Sequence, residues 1–185
     1  MSTKPWAVIS RHVDNSYRIF NLRRDRARSP RTGKEHDFFV IESPPWVNVI
    51  PLTAENQVVM IRQYRHGTGE VTLEIPGGLV EAQDTPIEAA RRELREETGY
   101  REDKIISLGD VHPNPAIQNN RCYTFLATNV YCAGRQELDD KEDIEVVTHA
   151  LAEIPQLIRE GVITHSLIVV AFYRLFMEYL PHETK

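Results

Sequence analysis

The chain has 185 residues, the size of one ordinary domain or of one domain with an added arm. Hydrophobic residues at 41% and charged residues at 26% exclude a disordered tail, a collagen-like fibre and a coiled-coil rod. With 22 Lys+Arg against 27 Asp+Glu the net charge is −5, a poor footprint for a dedicated nucleic-acid binder.

Along the chain, Met1 to Ser10 carries no basic start followed by an apolar run, so no targeting segment is read there. Residues 6–11, 17–24 and 37–42 are rich in β-formers and predict an antiparallel β-meander, with a turn at Ser29-Pro30-Arg31-Thr32-Gly33. Arg23, Arg24, Arg26, Arg28 and Arg31 crowd this region. The run reads either as a phosphate patch or as the solvated face of exposed strands, and the lack of interleaved aromatics favours the second. Pro44-Pro45 closes the region, which sets an expected meander domain over 1–43 and a main domain over 44–185. Strands are expected at Trp46–Leu52, 58–64 and 71–75, the last broken by Pro76-Gly77-Gly78. A helix follows with marked ends: Thr85 at the N-cap, Pro86 at the first helical position, Glu88 completing a capping box and Gly99 as the left-handed stop. Residues 105–111 and 122–131 read as strands separated by the irregular His112-Pro113-Asn114-Pro115. An acidic loop over 136–142, a strand over 144–148 and helices over 154–160 and 166–179, the latter with Ser166 as N-cap, complete the chain. The longest apolar stretch, 167–173, is too short to span a membrane. The mixture predicts an α/β (α+β) sandwich. Cys122 and Cys132 cannot make a disulfide framework and read as reduced core thiols of a cytoplasmic protein.

The chemistry concentrates in the capped helix. Glu93 and Glu97 are four residues apart, so they share a face, with Glu96 beside them. Like charges at these spacings destabilise a bare helix, and the dipole disfavours anions near a C-terminal end. A hard cation such as Mg²⁺ would remove the conflict. The bland alternative is a solvated charged helix balanced by Arg91, Arg92 and Arg95. Arg92, four residues before Glu96, can pair with it and orient it. Gly77-Gly78 leaves backbone atoms uncovered, so a carbonyl can approach a metal beside the helix. Trp46 reads either as a purine stacker or as a core residue, and Trp6 is equally open. His112 and His165 read as surface or supporting histidines.

The stretch from Gly78 to Tyr100 resembles the Nudix box, G-x5-E-x7-R-E-U-x-E-E-x-G-U with U aliphatic. Gly78, Arg92, Glu93, Leu94, Glu96, Glu97 and Gly99 match at the right spacing. Asp84 stands where the box has its first Glu, one methylene shorter, and Tyr100 replaces the final aliphatic residue. Arg62-Gln63-Tyr64-Arg65, Leu73-Glu74-Ile75-Pro76-Gly77-Gly78, Pro115 and Asp140-Lys141-Glu142-Asp143-Ile144 are similar to the ADP-ribose pyrophosphatase and nucleoside diphosphate sugar hydrolase branch.

The resemblance implies an α/β/α sandwich with a mixed sheet, preceded by the meander. It implies two or three Mg²⁺ or Mn²⁺ ions held by Glu93, Glu97 and the Gly77 carbonyl, with Glu96 as a further ligand or water-positioning group. Arg92 would hold the box together and Glu142 would act as general base. Arg65, Glu74, Arg62 and Trp46 would contact substrate. The implied reaction is hydrolysis of ADP-ribose to AMP and ribose 5-phosphate. The alternatives are a nucleoside diphosphate sugar such as GDP-mannose or an ADP-sugar, or a non-catalytic ligand sensor on the same fold. The implied partner is a small nucleotide, with neither nucleic acid nor membrane, and the chain is expected to form a homodimer whose meander reaches the other subunit's site.

Overall fold

The computed structural model describes residues 3–179; residues 1–2 and 180–185, the outer ends of the two expected domains, lie outside the described residues. The chain falls into two compact units. One runs up to Pro44 and includes His112–Arg121; the other holds Pro45–Val111 and the residues from Cys122 onward.

The first unit is built on β1 (Ala7–Ser16), β2 (Asn21–Arg28) and β3 (Glu35–Glu42), antiparallel and in that order. β1 and β3 extend past their runs of β-formers. Residues 17–20 of the expected second run instead turn the chain, the Tyr17 amide donating to the Phe20 carbonyl at 2.9 Å, and β2 runs on to Arg28 because its charged residues pair across the sheet. Arg24 bonds Asp14 at 3.1 Å, Arg26 and Arg28 both reach Glu35 at 3.1 and 2.8 Å, and Arg23 clasps Asp25 at 2.8 Å and also bonds Glu42. Arg24, Arg26 and Arg28 thus form a ladder of cross-strand ion pairs on a solvated face, while Arg23 pairs along its own strand with the buried Asp25. The segment around Pro113 and Pro115, legible only as irregular, joins this unit through its backbone. The Ile41 amide donates to the Ile117 carbonyl at 2.7 Å, and the Ser43 amide to Asn119 Oδ1 at 3.2 Å.

The second unit is a seven-stranded mixed sheet between helices. It contains β4 (Trp46–Leu52), β5 (Gln57–Arg65), β6 (Glu70–Glu74), β7 (Gly77–Leu79), β9 (Lys104–Val111), β10 (Cys122–Thr128) and β12 (Ile144–Ala150); β8 (Tyr100–Arg101) and β11 (Tyr131–Cys132) form a separate two-stranded pair. The main path is β12-β5-β4-β10-β9, parallel between β4 and β10 and antiparallel elsewhere. β4 and β5 share only the Leu52–Val58 pairing beside their turn. Beyond it they part, β6 lying against β5 and β7 against β4. Gly77 and Gly78 therefore do more than break a strand: they pair with Asn48 and Val47 as a short strand of their own.

Alternation along β4 and β5 sorts the core into two layers. Val47, Val49 and Val59 pack with Ala89, Ala90 and Leu94 of α1 (Pro86–Thr98). Ile50, Val58 and Met60 pack on the other face with Ile154 of α2 (Ile154–Arg159) and with Ile168, Ala171 and Phe172 of α3 (Ser166–Arg174). This is the expected α/β/α sandwich. Helix α3 is capped by His165, not Ser166: the His165 backbone is extended and its Nδ1 accepts the Leu167 amide at 3.2 Å. The chain then runs on as a π-helical turn, Leu175–Tyr179, in place of the uniform helix expected to Tyr179. Cys122 is buried, as expected, and burial together with Asp110 pushes its thiol up to about 12. Cys132 is exposed, contrary to its reading as a core thiol. Asn129, at φ 52°, turns the chain out of β10, so the alternation that buried Cys122 does not carry forward to Cys132. No helix among the described residues is long and apolar enough to cross a membrane.

Candidate active site

Helix α1 starts and stops where its sequence dictates. Thr85 Oγ1 accepts the Glu88 amide at 3.4 Å, while Glu88 Oε2 accepts the Thr85 amide at 2.8 Å. At the other end Gly99 takes φ 75° and its amide donates to the Arg95 carbonyl at 2.8 Å. Between these caps the 3.6-residue period places Ala89, Ala90 and Leu94 in the core. It also turns Glu93 and Glu97 toward β7, where they are only 8% and 4% exposed.

Two glycines make this approach feasible. A Cβ at Gly78 would collide with the Glu93 carboxylate, and one at Gly77 with the Val47 carbonyl. The Gly77 amide instead donates to Glu97 Oε2 at 2.9 Å. Arg92 ties the loop before the helix to the helix itself. Its Nε bonds Asp84 Oδ2 at 3.0 Å, its Nη1 bonds Glu93 at 2.9 Å and Glu96 at 3.2 Å, and its Nη2 donates to the Leu79 carbonyl at 3.0 Å. The shorter Asp84 therefore still makes the ionic contact to the box arginine. Burial disfavours the charge on Arg92, but Asp84, Glu93 and Glu96 outweigh it and hold its proton more firmly than water would.

Loss of solvent pushes Glu93 up to about 7 against the pull of Arg92, with Glu96 and Glu142 adding to the rise. Glu97 is pushed up to about 8 by burial and by Glu93, with the Gly77 amide opposing and Glu142 adding. Two buried carboxylates that repel each other beside a bare glycine fit a hard divalent cation, whose field would offset the repulsion. Among the described residues, no three acidic, His or Cys side chains converge as a ready metal cage. Glu96 is held between Arg92 and Arg95, at 3.2 and 3.0 Å. Such a donor set, two carboxylates with a backbone carbonyl nearby, suits Mg²⁺, which keeps water and phosphate oxygens as its other ligands.

A stability prediction follows from these carboxyls. A carboxyl whose folded value lies above its ordinary 4.5 binds its proton more tightly when folded. That contribution is full below about pH 4.5 and is lost as pH rises through the folded values. In a chelator, the Tm should fall between pH 5 and pH 8.5, and Mg²⁺ should raise it most at the alkaline end. Thermal melts across that range, with EDTA or Mg²⁺, check both; a Tm independent of pH and metal would contradict the assignment.

Beside the elbow lies a cavity of about 480 Å³, lined by Trp46, Asn48, Arg65, Thr72, Glu74, Gly77, Gly78, Cys122 and His165 among others. That is the size of a small-ligand site. Glu74 is almost fully buried at its wall, and Arg65 grips it with two parallel bonds of 2.8 and 2.6 Å while Thr72 Oγ1 donates at 2.6 Å. Burial alone would raise the Glu74 carboxyl, but Arg65 and Thr72 outweigh it and keep it below its usual range. Trp46 is half-buried and lines the cavity, and it belongs to neither core layer.

The structure thus brings Glu93, Glu97, Gly77, Arg65, Glu74 and Trp46 to one region. Arg62 alternates to the other side of β5, is exposed and pairs with Glu145 at 3.2 Å; it is not among the cavity-lining residues. Glu142 is exposed on the loop before β12, its Oε2 accepting the Asp139 amide at 3.0 Å, and it acts electrostatically on both Glu93 and Glu97. Sequence reasoning missed Thr72 and Asn48, and read His165 only as a surface or supporting histidine. Thr72 could have been found from its place two residues before Glu74, on the same strand face. His165 had no such signal, because its cavity position depends on the packing of α3.

A family model described as NUDIX domain matches residues 43–168. The methanol dehydrogenase activator of Bacillus methanolicus is 31% identical over 91% of this chain and 91% of its own. The ADP-ribose pyrophosphatase of Mycobacterium tuberculosis is 30% identical over 91% of this chain and 82% of its own, and that of Bacillus subtilis 30% over 68% and 69%. The crystal structure of an ADP compounds hydrolase superposes with a TM-score of 0.83, covering 95% of both chains at 20% identity, which shows a shared fold. With the box residues in register along α1 and the family match spanning most of the chain, this protein belongs to the Nudix family.

Proposed function

We propose that the protein is a divalent-metal-dependent pyrophosphohydrolase that cleaves ADP-ribose to AMP and ribose 5-phosphate. The observation that carries the reading is the cavity lined by Arg65 and the Gly77-Gly78 elbow, with the buried Glu93–Glu97 pair set against those two glycines. The two bacterial ADP-ribose pyrophosphatases among its relatives support the substrate.

Glu93, Glu97 and the Gly77 carbonyl would hold Mg²⁺ or Mn²⁺, two or three ions in all, with Glu96 as a further ligand once released from Arg92 and Arg95. Ions bound there would neutralise diphosphate charge and make water a better nucleophile. Arg65 is fixed by Glu74 through Nε and Nη2, so its remaining Nη1 is free to meet a substrate phosphate or hydroxyl oxygen. Trp46 offers an apolar face to the base or sugar. Glu142 takes the proton of the attacking water as its oxygen adds to one phosphorus. The anhydride P–O bond breaks, and its electron pair leaves on the other phosphate. Arg92 keeps Asp84, Leu79 and the acids of α1 in one frame.

Products decide the reading. Incubation with ADP-ribose, GDP-mannose, an ADP-hexose, diadenosine polyphosphates and NADH, each with Mg²⁺ or EDTA, should release AMP and ribose 5-phosphate fastest from ADP-ribose and nothing in EDTA. Faster turnover of a nucleoside diphosphate hexose would reassign the substrate, and no product from any of them would favour a ligand sensor.

The same proposal includes a homodimer formed through the meander. That three-stranded sheet leaves Val8 48%, Ile9 46%, Phe38 43% and Phe39 56% exposed, more apolar surface than so small a sheet would keep in water alone. Phe39→Asp should shift the protein toward monomer in light scattering at micromolar concentration; an unchanged dimer would place the interface elsewhere. The free thiols Cys122 and Cys132 accord with a cytoplasmic setting.

A further inference from the structure

We propose that Gln136 is a positioning residue that pins the Glu142 loop to the C-terminal end of the carboxylate helix. The inference deepens the reading of Glu142 as general base and rests on it.

A helix end leaves its last carbonyls without partners inside the helix. In α1 these are met by one short stretch of chain. The amides of Ala133 and Gly134 donate to the Gly99 carbonyl at 2.9 and 3.1 Å, and the Glu137 amide donates to the Glu96 carbonyl at 2.8 Å. The Glu97 carbonyl is met by a side chain: Gln136 Nε2 donates to it at 2.7 Å. The same nitrogen donates to the Ile144 carbonyl at 3.0 Å. Both amide hydrogens are thereby used, and because both partners are carbonyls, only the nitrogen can face them.

Of these contacts only the Gln136 side chain also reaches across the base of the loop. Ile144 is buried and begins β12, paired with Gln63 of β5. Residues 137–143 are therefore closed at both ends by one amide, and Glu142 sits two residues before the far anchor. Within the loop Glu142 is tied back to Asp139 by both its backbone amide, at 3.1 Å, and its carboxylate, at 3.0 Å. The first residue of β12 and the backbone of Glu97 are thus held at a fixed separation, and with them the distance from Glu142 to the acids of α1. A glutamine is required: asparagine is one methylene too short to span two carbonyls, and leucine has no donor.

The test uses Gln136→Leu and Gln136→Asn, alone and combined with Glu142→Gln, assayed on ADP-ribose with saturating Mg²⁺. Each single Gln136 variant should lower kcat by about 10- to 100-fold with KM within about two-fold, the scale expected when a catalytic group is displaced by an ångström. In the Glu142→Gln background the same substitutions should add no further loss, because they act through Glu142. Hydrogen–deuterium exchange of the metal-free protein supplies a readout independent of turnover: amides 139–143 should exchange faster in both variants, and those of β5 should not. If Glu142→Gln is slow but the Gln136 losses multiply with it, fall on KM or are absent, the positioning role is overturned while the base survives. If Glu142→Gln turns over normally, the base assignment fails and takes the proposal with it. Unchanged exchange in the loop overturns the clamp whatever the kinetics.

Discussion

Glu97→Gln should lower Mg²⁺-dependent hydrolysis by about 10³-fold or more and leave the fold intact. Glutamine keeps the shape of the side chain, and its carbonyl can still accept the Gly77 amide that Glu97 Oε2 accepts at 2.9 Å. What it removes is a negative charge that burial and Glu93 both oppose. Metal-free, the variant should melt at or above the wild-type temperature at pH 8, and the pH dependence of Tm should flatten. Added Mg²⁺ should then no longer raise Tm. The three readouts together separate loss of a metal ligand from loss of a structural contact, which would lower Tm at every pH. Wild-type turnover in this variant would remove Glu97 from the metal site.

For Glu142→Gln the expected loss in kcat is about 10²- to 10⁴-fold, the range for removing a general base, with KM changed only a few-fold. The amide can still accept the Asp139 N–H that now holds the carboxylate, so the loop keeps its shape while losing the ability to take a proton. Glu142 is exposed and its neighbours Asp139, Asp140 and Asp143 are also acidic, so substitution of each in turn provides the control. Should Asp140→Asn or Asp143→Asn show the large loss and Glu142→Gln none, the proton acceptor is the other acid.

How much of this was readable beforehand depended on how far apart in sequence the cooperating residues lie. Helix α1 was legible to the residue, because Thr85, Glu88 and Gly99 act on backbone groups within one turn of themselves. The stacking of Glu93 on Glu97 was legible for the same reason. β4 was read with its full bounds, since its buried run is closed by Pro44-Pro45 and by a polar turn. What was not legible has a different cause. Residues 112–121 are irregular, as expected, but acquire an address only by pairing with Ile41. Gly77-Gly78 reads as a break until β4 supplies the partner strand. Cys132 was assigned to the core by extending an alternation that Asn129 ends. His165 and Gln136 carry ordinary polar side chains in polar surroundings, and their roles exist only once α3 and the loop before β12 are packed.

The parting of β4 from β5 has a consequence for how such a protein can change its diet. The proposed floor of the metal site, Gly77-Gly78, hangs from β4 as its glycine strand, whereas Arg65, Thr72 and Glu74 hang from the opposite bank, β5 and β6. Side chains on that far bank can be exchanged without moving the acid-bearing helix, because only one strand pairing joins the two banks. A library randomised at 65, 72 and 74 should thus yield enzymes with new leaving-group preferences on an unmoved metal helix, with metal affinity changed through the charge at 65, which acts on Glu97.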